Sequence, residues 1–518
     1  MAADLIPFTL SAPGFYGLNT QDSPVSMNKE YALKADNAVI DQFGRIGARK
    51  GWSNFVAAET TFADPKVWLI HEYLNSLGET ELLAIVDNRL CRVVNNNYEV
   101  IYDGTSLWTG MNWKAVNFNE KVYLFQKNHT PLVYDGSTCV PITSHASYTG
   151  SVQNSNEVLS AYGRLWNIDS TSDRTTLQWS DTLIGEAYTA GTSGSLDLET
   201  IFTNGTRPGI ALAAFNGFLV VFCDKTIMIF TGVAEDPTTN IAIQDIIDGV
   251  GCISRDTVVD IGTDILFLSD TGIRSLGRLI DQKSAPIFDV SKNVRDSLMA
   301  DVTVNANNTS IKAVYNDLDG FYLLSLPEAE KSYCFDLKNR LEGGICRVTT
   351  WSLAPICMHY RTDKSLLMGF PTGMGEYTGY NDNGASYRFS FITTHLSNKN
   401  EEKDGLTDYK ILKFLRLTYF GKSGYTINFG WGVNYRGISK SANKATPNIV
   451  ASDEYNVDEY FDAEYSGNQD NQAFQTTKQQ LSGAGNVYQI GINVMIKDGP
   501  FSIQQLDIFS KEGRMSYE

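Results

Sequence analysis

Apolar and polar positions alternate along most of this chain in short runs, and the runs come in pairs joined by Asn, Gly or Asp. A period of two with a turn residue between two runs is the signature of an antiparallel hairpin. Such hairpins are predicted at LNSLGETELLAIV (turn near Gly78), WKAVNFNEKVYLF (Asn119), LSAYGRLWNI (Gly163), ALAAFNGFLVVF (Gly217), VVDIGTDILFLS (Thr263), AVYNDLDGFYLLSL (Asp319) and ICMHYRTDKSLLMGF (Asp363). The turns are separated by 41, 44, 54, 46, 56 and 44 residues. Four short strands and their turns consume about 40 to 50 residues, the length of one β-propeller blade.

Further pairs of runs follow several of these hairpins: RLCRVVNNNYEVIYDG, PLVYDGSTCVPI, KTIMIFTG and GIRSLGRL, each read as the outer part of a blade. One four-stranded sheet cannot bury both of its faces, so blades must cover one another around an axis. The fold predicted is all-β: a propeller-like array of six to seven blades over residues 55–384, then a C-terminal β-sandwich or barrel over 385–518. A tandem of β-sandwiches is the competing arrangement. In the C-terminal part YRFSFITTHL, KFLRLTYFG, YTINFGWGVNYR, NVYQIGINVMIK and FSIQQLDIFS alternate cleanly, and residues 436–484 form a long polar insertion. Residues 1–54 are read as an N-terminal arm with the first strands: Ser26 to Val39 as a short helix or extended arm, Asp41 to Gly44 as a hairpin turn.

Composition sharpens this picture. Charged residues make up only 19% of the chain and aromatics 12%, with 43 Gly, which suits strands and tight turns. A net charge of −17 without a Lys/Arg cluster disfavours binding to nucleic acid by counterion release. An acidic wall instead repels phosphate and lets a duplex pass. The cysteines at 91, 139, 223, 252, 334, 346 and 357 form no CxxC pair, so reduced and mostly buried thiols are expected, with no metal site. The opening MAADLIPFTLSAPGFYG has no basic n-region, and the most apolar stretch, Ile210 to Phe230, is broken by Asn216, Asp224 and Lys225. Neither a signal peptide nor a membrane span is predicted, and synthesis in the cytosol follows.

No catalytic constellation stands out, and no cofactor is expected. The five histidines (71, 129, 145, 359, 395) lack ligand spacing; His129 falls at a turn and His359 inside an apolar strand, as a core imidazole. GMGEYTGYNDNG (373–384) has neither P-loop nor GxGxxG spacing and reads as the closing loop of the array. YNDLDG (315–320) is read as a hairpin apex rather than a calcium loop. The Asn-x-Thr sites at Asn128, Asn204 and Asn307 matter only on export. Many scattered carboxylates do not identify a glycosidase pair. One segment is compositionally unusual: SDEYNVDEYFDAEYSGNQDNQ (452–472), with seven acids, no Lys or Arg, and interleaved aromatics. It is either a solvated loop or a channel or interface loop built from Asp453, Glu454, Tyr455, Asp458, Glu459, Tyr460, Phe461, Asp462, Glu464 and Tyr465.

The N-terminal run GFYGLNTQDSPVSMNKEYALKADNAVIDQFGRIGARKGW resembles the opening of the tail nozzle proteins, also called tail tubular protein B, of short-tailed bacteriophages. The residues carrying the likeness are Gly17-Leu18-Asn19, Asp22-Ser23-Pro24, Asn37, Gly44-Arg45 and Arg49-Lys50-Gly51. More loosely it extends to the hairpin array and to the terminal GPFSIQQLDIFSKEGRM strand. The resemblance implies a structural, non-enzymatic virion subunit: a homohexameric tube in the viral tail that forms the DNA ejection channel. Its implied partners are the adaptor or head-to-tail connector ring above, tail fibres, spikes or a plug, and viral DNA in transit. A receptor-binding or baseplate propeller is the alternative, and a propeller glycan hydrolase a more distant one.

Overall fold

The structure, a computed structural model, describes residues 5–513 apart from 42, 58–61, 76, 190, 203–204, 206, 282–288, 306, 398–408 and 447–471. Each hairpin anticipated from the alternation is present and opens a sheet. The first blade is Val67–Leu74, Thr80–Val86, Arg89–Val94 and Asn97–Asp103; the second is Lys114–Phe118, Lys121–Gln126, His129–Tyr134 and Cys139–Pro141. The third is Ser155–Ala161, Arg164–Ser170, Thr176–Trp179 and Gly194–Asp197; the fourth is Gly209–Phe215, Phe218–Cys223, Thr226–Thr231 and Ala242–Asp248. A three-stranded sheet, Val259–Asp260, Ile265–Ser269 and Gly272–Ser275, fills the place between the fourth and fifth blades. The fifth blade is Lys312–Asn316, Phe321–Leu326, Lys331–Asp336 and Arg347–Trp351.

The sixth blade closes the ring with a strand from the other end of the array. Cys357–Tyr360, Leu366–Phe370 and Gly373–Tyr377 are completed by Trp52–Ala57, which pairs antiparallel with Gly373–Tyr377. The first half of the glycine-rich segment is thus a strand, and only residues 378–384 form the anticipated closing loop.

Turn chemistry sets the hairpin registers. Paired left-handed residues occur at Asn119 and Glu120 (φ 45° and 63°), Tyr162 and Gly163 (52° and 70°), and Asn216 and Gly217 (48° and 84°). Two consecutive positive φ values define the turn whose twist matches a two-residue hairpin, and Asn and Gly tolerate them at least cost.

Hydrophobic cores lie between neighbouring blades. Tyr73, Leu83 and Ile85 of the first blade meet Val122, Leu124 and Leu132 of the second. Trp166, Ile168 and Trp179 of the third meet Leu219, Val221 and Met228 of the fourth. Val67, Ile70 and Leu82 of the first meet Leu367 and Met374 of the sixth, which closes the circle. Truncating one such buried Leu to Ala costs about 2–5 kcal/mol.

The chain termini together build a second body. Ile6–Ser11 pairs along its length with Phe501–Glu512, from Ile6 opposite Ser510 to Ser11 opposite Gln505. Phe501–Glu512 also pairs with Lys410–Lys422, which pairs with Gln472–Gln480. The opposing sheet continues the fifth blade: Arg347–Trp351 adjoins Ala32–Asp36, then Tyr387–Thr393, Tyr488–Ile496, Thr426–Val433 and Lys440–Ala445. The two sheets face each other through Phe389, Phe391, Phe429 and Ile492 on one side and Leu415, Leu417, Phe501 and Ile508 on the other. That core is continuous with Tyr322 and Phe335 of the fifth blade and with Leu298 of the helix Arg295–Val304.

Three local expectations are corrected. Within Ser26–Val39 the chain forms the strand Ala32–Asp36, because its backbone is recruited between two strands distant in sequence. GIRSLGRL gives a strand only for Gly272–Ser275 and then the helix Leu276–Asp281, so among the described residues this unit has three strands. The flanks of the polar insertion are edge strands, Lys440–Ala445 and Gln472–Gln480, whose solvated position explains their weak apolar periodicity. No helix among the described residues is long and apolar enough to cross a membrane.

Candidate functional site

The acidic segment singled out from composition, with Asp453, Glu454, Tyr455, Asp458, Glu459, Tyr460, Phe461, Asp462, Glu464 and Tyr465, lies outside the described residues. Among the described residues, buried charged side chains join distant parts of the chain at the propeller axis and at the junction between propeller and sandwich.

At the axis, the starts of the first strands of several blades bring buried charges together. Arg255, 3% exposed, sits in the short 3-10 turn Arg255–Thr257 ahead of the three-stranded sheet and reaches across the axis to the second and third blades. Its guanidinium donates to Asn112 Oδ1 at 2.9 Å, to the carbonyls of Asn112 and Trp113 at 3.1 and 3.2 Å, and to Asn156 Oδ1 at 3.1 Å. Arg255 Nε also donates to Asp256 Oδ1 at 3.0 Å. Lys312, at the start of the fifth blade, donates to Asp256 and to Asn112 Oδ1 at 3.1 Å. Lys114 of the second blade donates to Glu157 Oε1 of the third at 2.5 Å.

Burial and pairing oppose each other in this network. Burial pushes the Asp256 carboxyl up, but Arg255, Lys312 and Lys114 outweigh it and hold the group well below the carboxylate range. For Glu157 burial wins over Lys114 and Arg255, and its pKa is raised. Burial lowers the Lys312 ammonium against the pull of Asp256. The result is a network in which ion pairs join neighbouring units and the hydrogen bonds from Arg255 and Lys312 to Asn112 tie non-adjacent ones, filling the axis at this end with protein side chains.

Further along the axis two histidine rings lie 5.7 Å apart, His71 on the first blade and His359 on the sixth. His71 Nε2 meets Asn117 Oδ1 at 3.1 Å, and His359 Nε2 accepts from the Glu72 backbone N–H at 3.3 Å. Burial, with a smaller contribution from His359, lowers His71 to about 3. Burial and then Arg361 lower His359 to about 4. Both imidazoles are therefore neutral at pH 7 and act as inter-blade hydrogen-bonding groups, as anticipated for His359.

The junction is built by the N-terminal residues that carry the sequence resemblance. Arg49, with a fully buried side chain, forms a bidentate pair with Asp382, Nη1 to Oδ1 at 2.8 Å and Nη2 to Oδ2 at 2.7 Å. Its Nε donates to Asn37 Oδ1 at 2.9 Å, and its guanidinium lies 4.2 Å from the Tyr387 ring centroid. Asn37, held at φ 51°, also donates to the Arg388 carbonyl at 2.8 Å and accepts from the Ser352 backbone N–H at 3.0 Å. Four chain segments thus meet at one arginine and one asparagine.

The neighbouring residues of the run are equally structural. Gly17 lies against the fifth blade, where an added Cβ would be 2.7 Å from Val348 N. Gly51 packs on Asn381, whose carbonyl oxygen would be 1.8 Å from a Cβ. Asn19 Oδ1 accepts from the N–H groups of Gln21 and Asp22, which fixes the turn before Pro24. Asp41 closes its hairpin by accepting from Phe43 N and Arg45 N and pairing with Arg45 Nε at 2.7 Å. Asp319, in the YNDLDG apex, is engaged by Lys50 at 3.0 Å.

Sequence inspection did not find the axial set. Asn112, Glu157, the adjacent pair Arg255 and Asp256, and Lys312 are far apart in the chain, and none sits in a distinctive local motif; only closure of the ring brings these four places together.

No family model and no curated protein matches the chain. Among solved structures it is similar to the extracellular domain of the putative one component system BT4673 from B. thetaiotaomicron, at 9% identity and TM-score 0.39, over 73% of this chain and 45% of that one. It is also similar to Raptor from Chaetomium thermophilum (10% identity, TM-score 0.40, 64% of this chain and 30% of that one). The WD40 domain of Neurospora crassa Pan2 matches at 11% identity and TM-score 0.38, over 63% of this chain and 95% of the domain. The chain spans less than half the length of the first two, and at these values the likenesses carry nothing about its activity or partners.

Proposed function

We propose that this chain is a non-catalytic structural subunit of the tail nozzle of a short-tailed phage, assembled as a homohexamer below the adaptor ring and forming the conduit for DNA ejection. The observation that carries this reading is the N-terminal run Gly17 to Gly51: several of the residues that resemble nozzle proteins, Asn37, Arg49 and Gly51 among them, clamp the propeller to the sandwich. A part that holds a pressurised genome and then passes it needs two bodies fixed against each other, and a buried bidentate Arg49–Asp382 pair supplies that fixity. The net charge of −17 is consistent with a surface over which a duplex slides without adhering. The propeller axis carries the inter-blade ion pairs Lys114–Glu157 and Lys312–Asp256 at one end, which bind the ring together.

Cryo-electron microscopy of the native particle, labelled with an antibody fragment against this chain, tests the proposal. Six-fold density on the tail axis below the portal is expected. Label on peripheral appendages would overturn the nozzle in favour of a receptor-binding or baseplate propeller, and no label on any virion would overturn both.

A further inference from the structure

Two members of the axial network, Lys312 and Asn112, form the floor of a cup. A cavity of about 840 Å³ opens above them, bounded by the first, second, fifth and sixth blades. In each of these blades the entry to the first strand and the turn between the second and third strands lie at the same end, and these connections make the walls. The volume is within the range of small-molecule sites, which also combine apolar walls with a few convergent polar groups.

The wall chemistry is specific. Trp68 presents an indole, with Lys66 Nζ 5.6 Å from its ring centroid. Trp68 Nε1 is a buried donor without a hydrogen-bond partner, and Gln126 Oε1 is a buried acceptor without one, on a residue only 5% exposed. An unsatisfied buried polar group costs about 1–3 kcal/mol, and here a donor and an acceptor stand in the wall of one cavity. Asn112 and Lys312 supply further polar atoms from the floor. At the rim Glu330 is held at φ 51°, a conformation uncommon outside Gly and Asn, which places an exposed carboxylate at the opening.

Charge decides the ligand class. The lining contains Lys66 and Lys312 against Glu328 and Glu330, so its formal charge is zero. An anion would meet the two glutamates, and a purely apolar molecule would leave the Gln126 amide oxygen and the indole N–H unsatisfied. A ligand with a flat C–H face for the indole and several hydroxyls, each both donor and acceptor, satisfies the set. We propose that this cup binds a neutral saccharide, with Trp68 as the stacking platform and Gln126, Asn112 and Glu330 as hydrogen-bonding groups. The proposal does not depend on the nozzle reading.

Saturation-transfer NMR on the full chain, with glucose, galactose, N-acetylglucosamine and maltose as probes and glucuronate as the anionic control, tests it. At least one neutral probe should receive saturation and alter tryptophan fluorescence, with affinity reduced tenfold or more in Trp68→Ala and less in Trp68→Phe. Glu330→Ala, on an exposed turn, provides a second variant that does not disturb the core and should weaken binding several-fold. Absence of binding by all neutral probes, preference for glucuronate, or unchanged affinity in Glu330→Ala together with a natively folded Trp68→Ala would overturn the proposal.

Discussion

The propeller and the sandwich are both antiparallel β structure with apolar interiors, yet they are assembled in opposite ways. In the propeller nearly every strand pairs with its neighbour in sequence, and short turns, several of them of two residues, set the register. In the sandwich the decisive pairings are long-range: Ile6 with Ser510 joins the two ends of the chain, and Asp36 with Thr350 joins the N-terminal segment to the fifth blade. Local pairing costs little loop-closure entropy, whereas pairing across several hundred residues must wait until the intervening ring has brought the ends together. The difference teaches where the fold is vulnerable: a blade hairpin is a local investment, while the clasp at Arg49 and Asn37 holds contacts that no nearby sequence can replace.

Perturbations of graded size test this contrast. The largest loss is expected at the clasp: Arg49→Ala removes the bidentate pair to Asp382 and the donor to Asn37, and should destabilise by about 3–5 kcal/mol in urea denaturation. Arg49→Lys should recover less than half of that, because a point charge cannot replace the planar fork. A clasp that rescues fully with Lys would show that charge alone matters there.

Next is the axis, where Arg255→Met leaves Asp256 with Lys312 as its direct partner and Lys114 near it, and strips the Arg255 donors from Asn112 and Asn156. A loss of about 2–3 kcal/mol is expected. If it exceeds that of Arg49→Ala, the ring and not the clasp is the more critical tie.

Acid should act on the same axis. His71 and His359 have folded pKa values of about 3 and about 4, below the ordinary 6.5, so the unfolded chain takes up protons first. The stability gained by keeping both rings neutral is complete above pH 6.5 and falls as pH drops toward 4. Between pH 6.5 and 5.5 the loss should be about 2 kcal/mol. The double variant His71→Asn/His359→Asn should flatten the dependence of the urea midpoint over that window, and an unchanged slope would dismiss these two groups as its cause.

Smaller effects belong to local features. Gly217→Ala, at φ 84° with open space around the position, should cost about 1 kcal/mol through backbone strain alone, read as a small shift in the thermal midpoint. Lys34→Ala, which removes the solvent-exposed pair with Asp36 at 3.0 Å, should change stability by less than about 0.5 kcal/mol even though it lies in the sandwich. A large effect there would contradict the view that the sandwich depends on buried rather than surface pairs.

The sequence by itself determined the repeating part of the molecule. Alternation and turn residues located the opening hairpin of every sheet in the ring, because strand, turn and partner strand lie within a dozen or so residues and their signals are local. It also marked Asn37, Arg49 and Gly51 as unusual, although not why. Only the tertiary structure decided what these residues hold, that the N-terminal segment forms strands of the sandwich, and that Trp52–Ala57 completes the sixth blade. The same is true of the axial charges and the cup above them: Arg255, Asn112, Glu157 and Lys312 belong to different blades, and a contact made by closing a ring leaves no periodicity in the chain to be read.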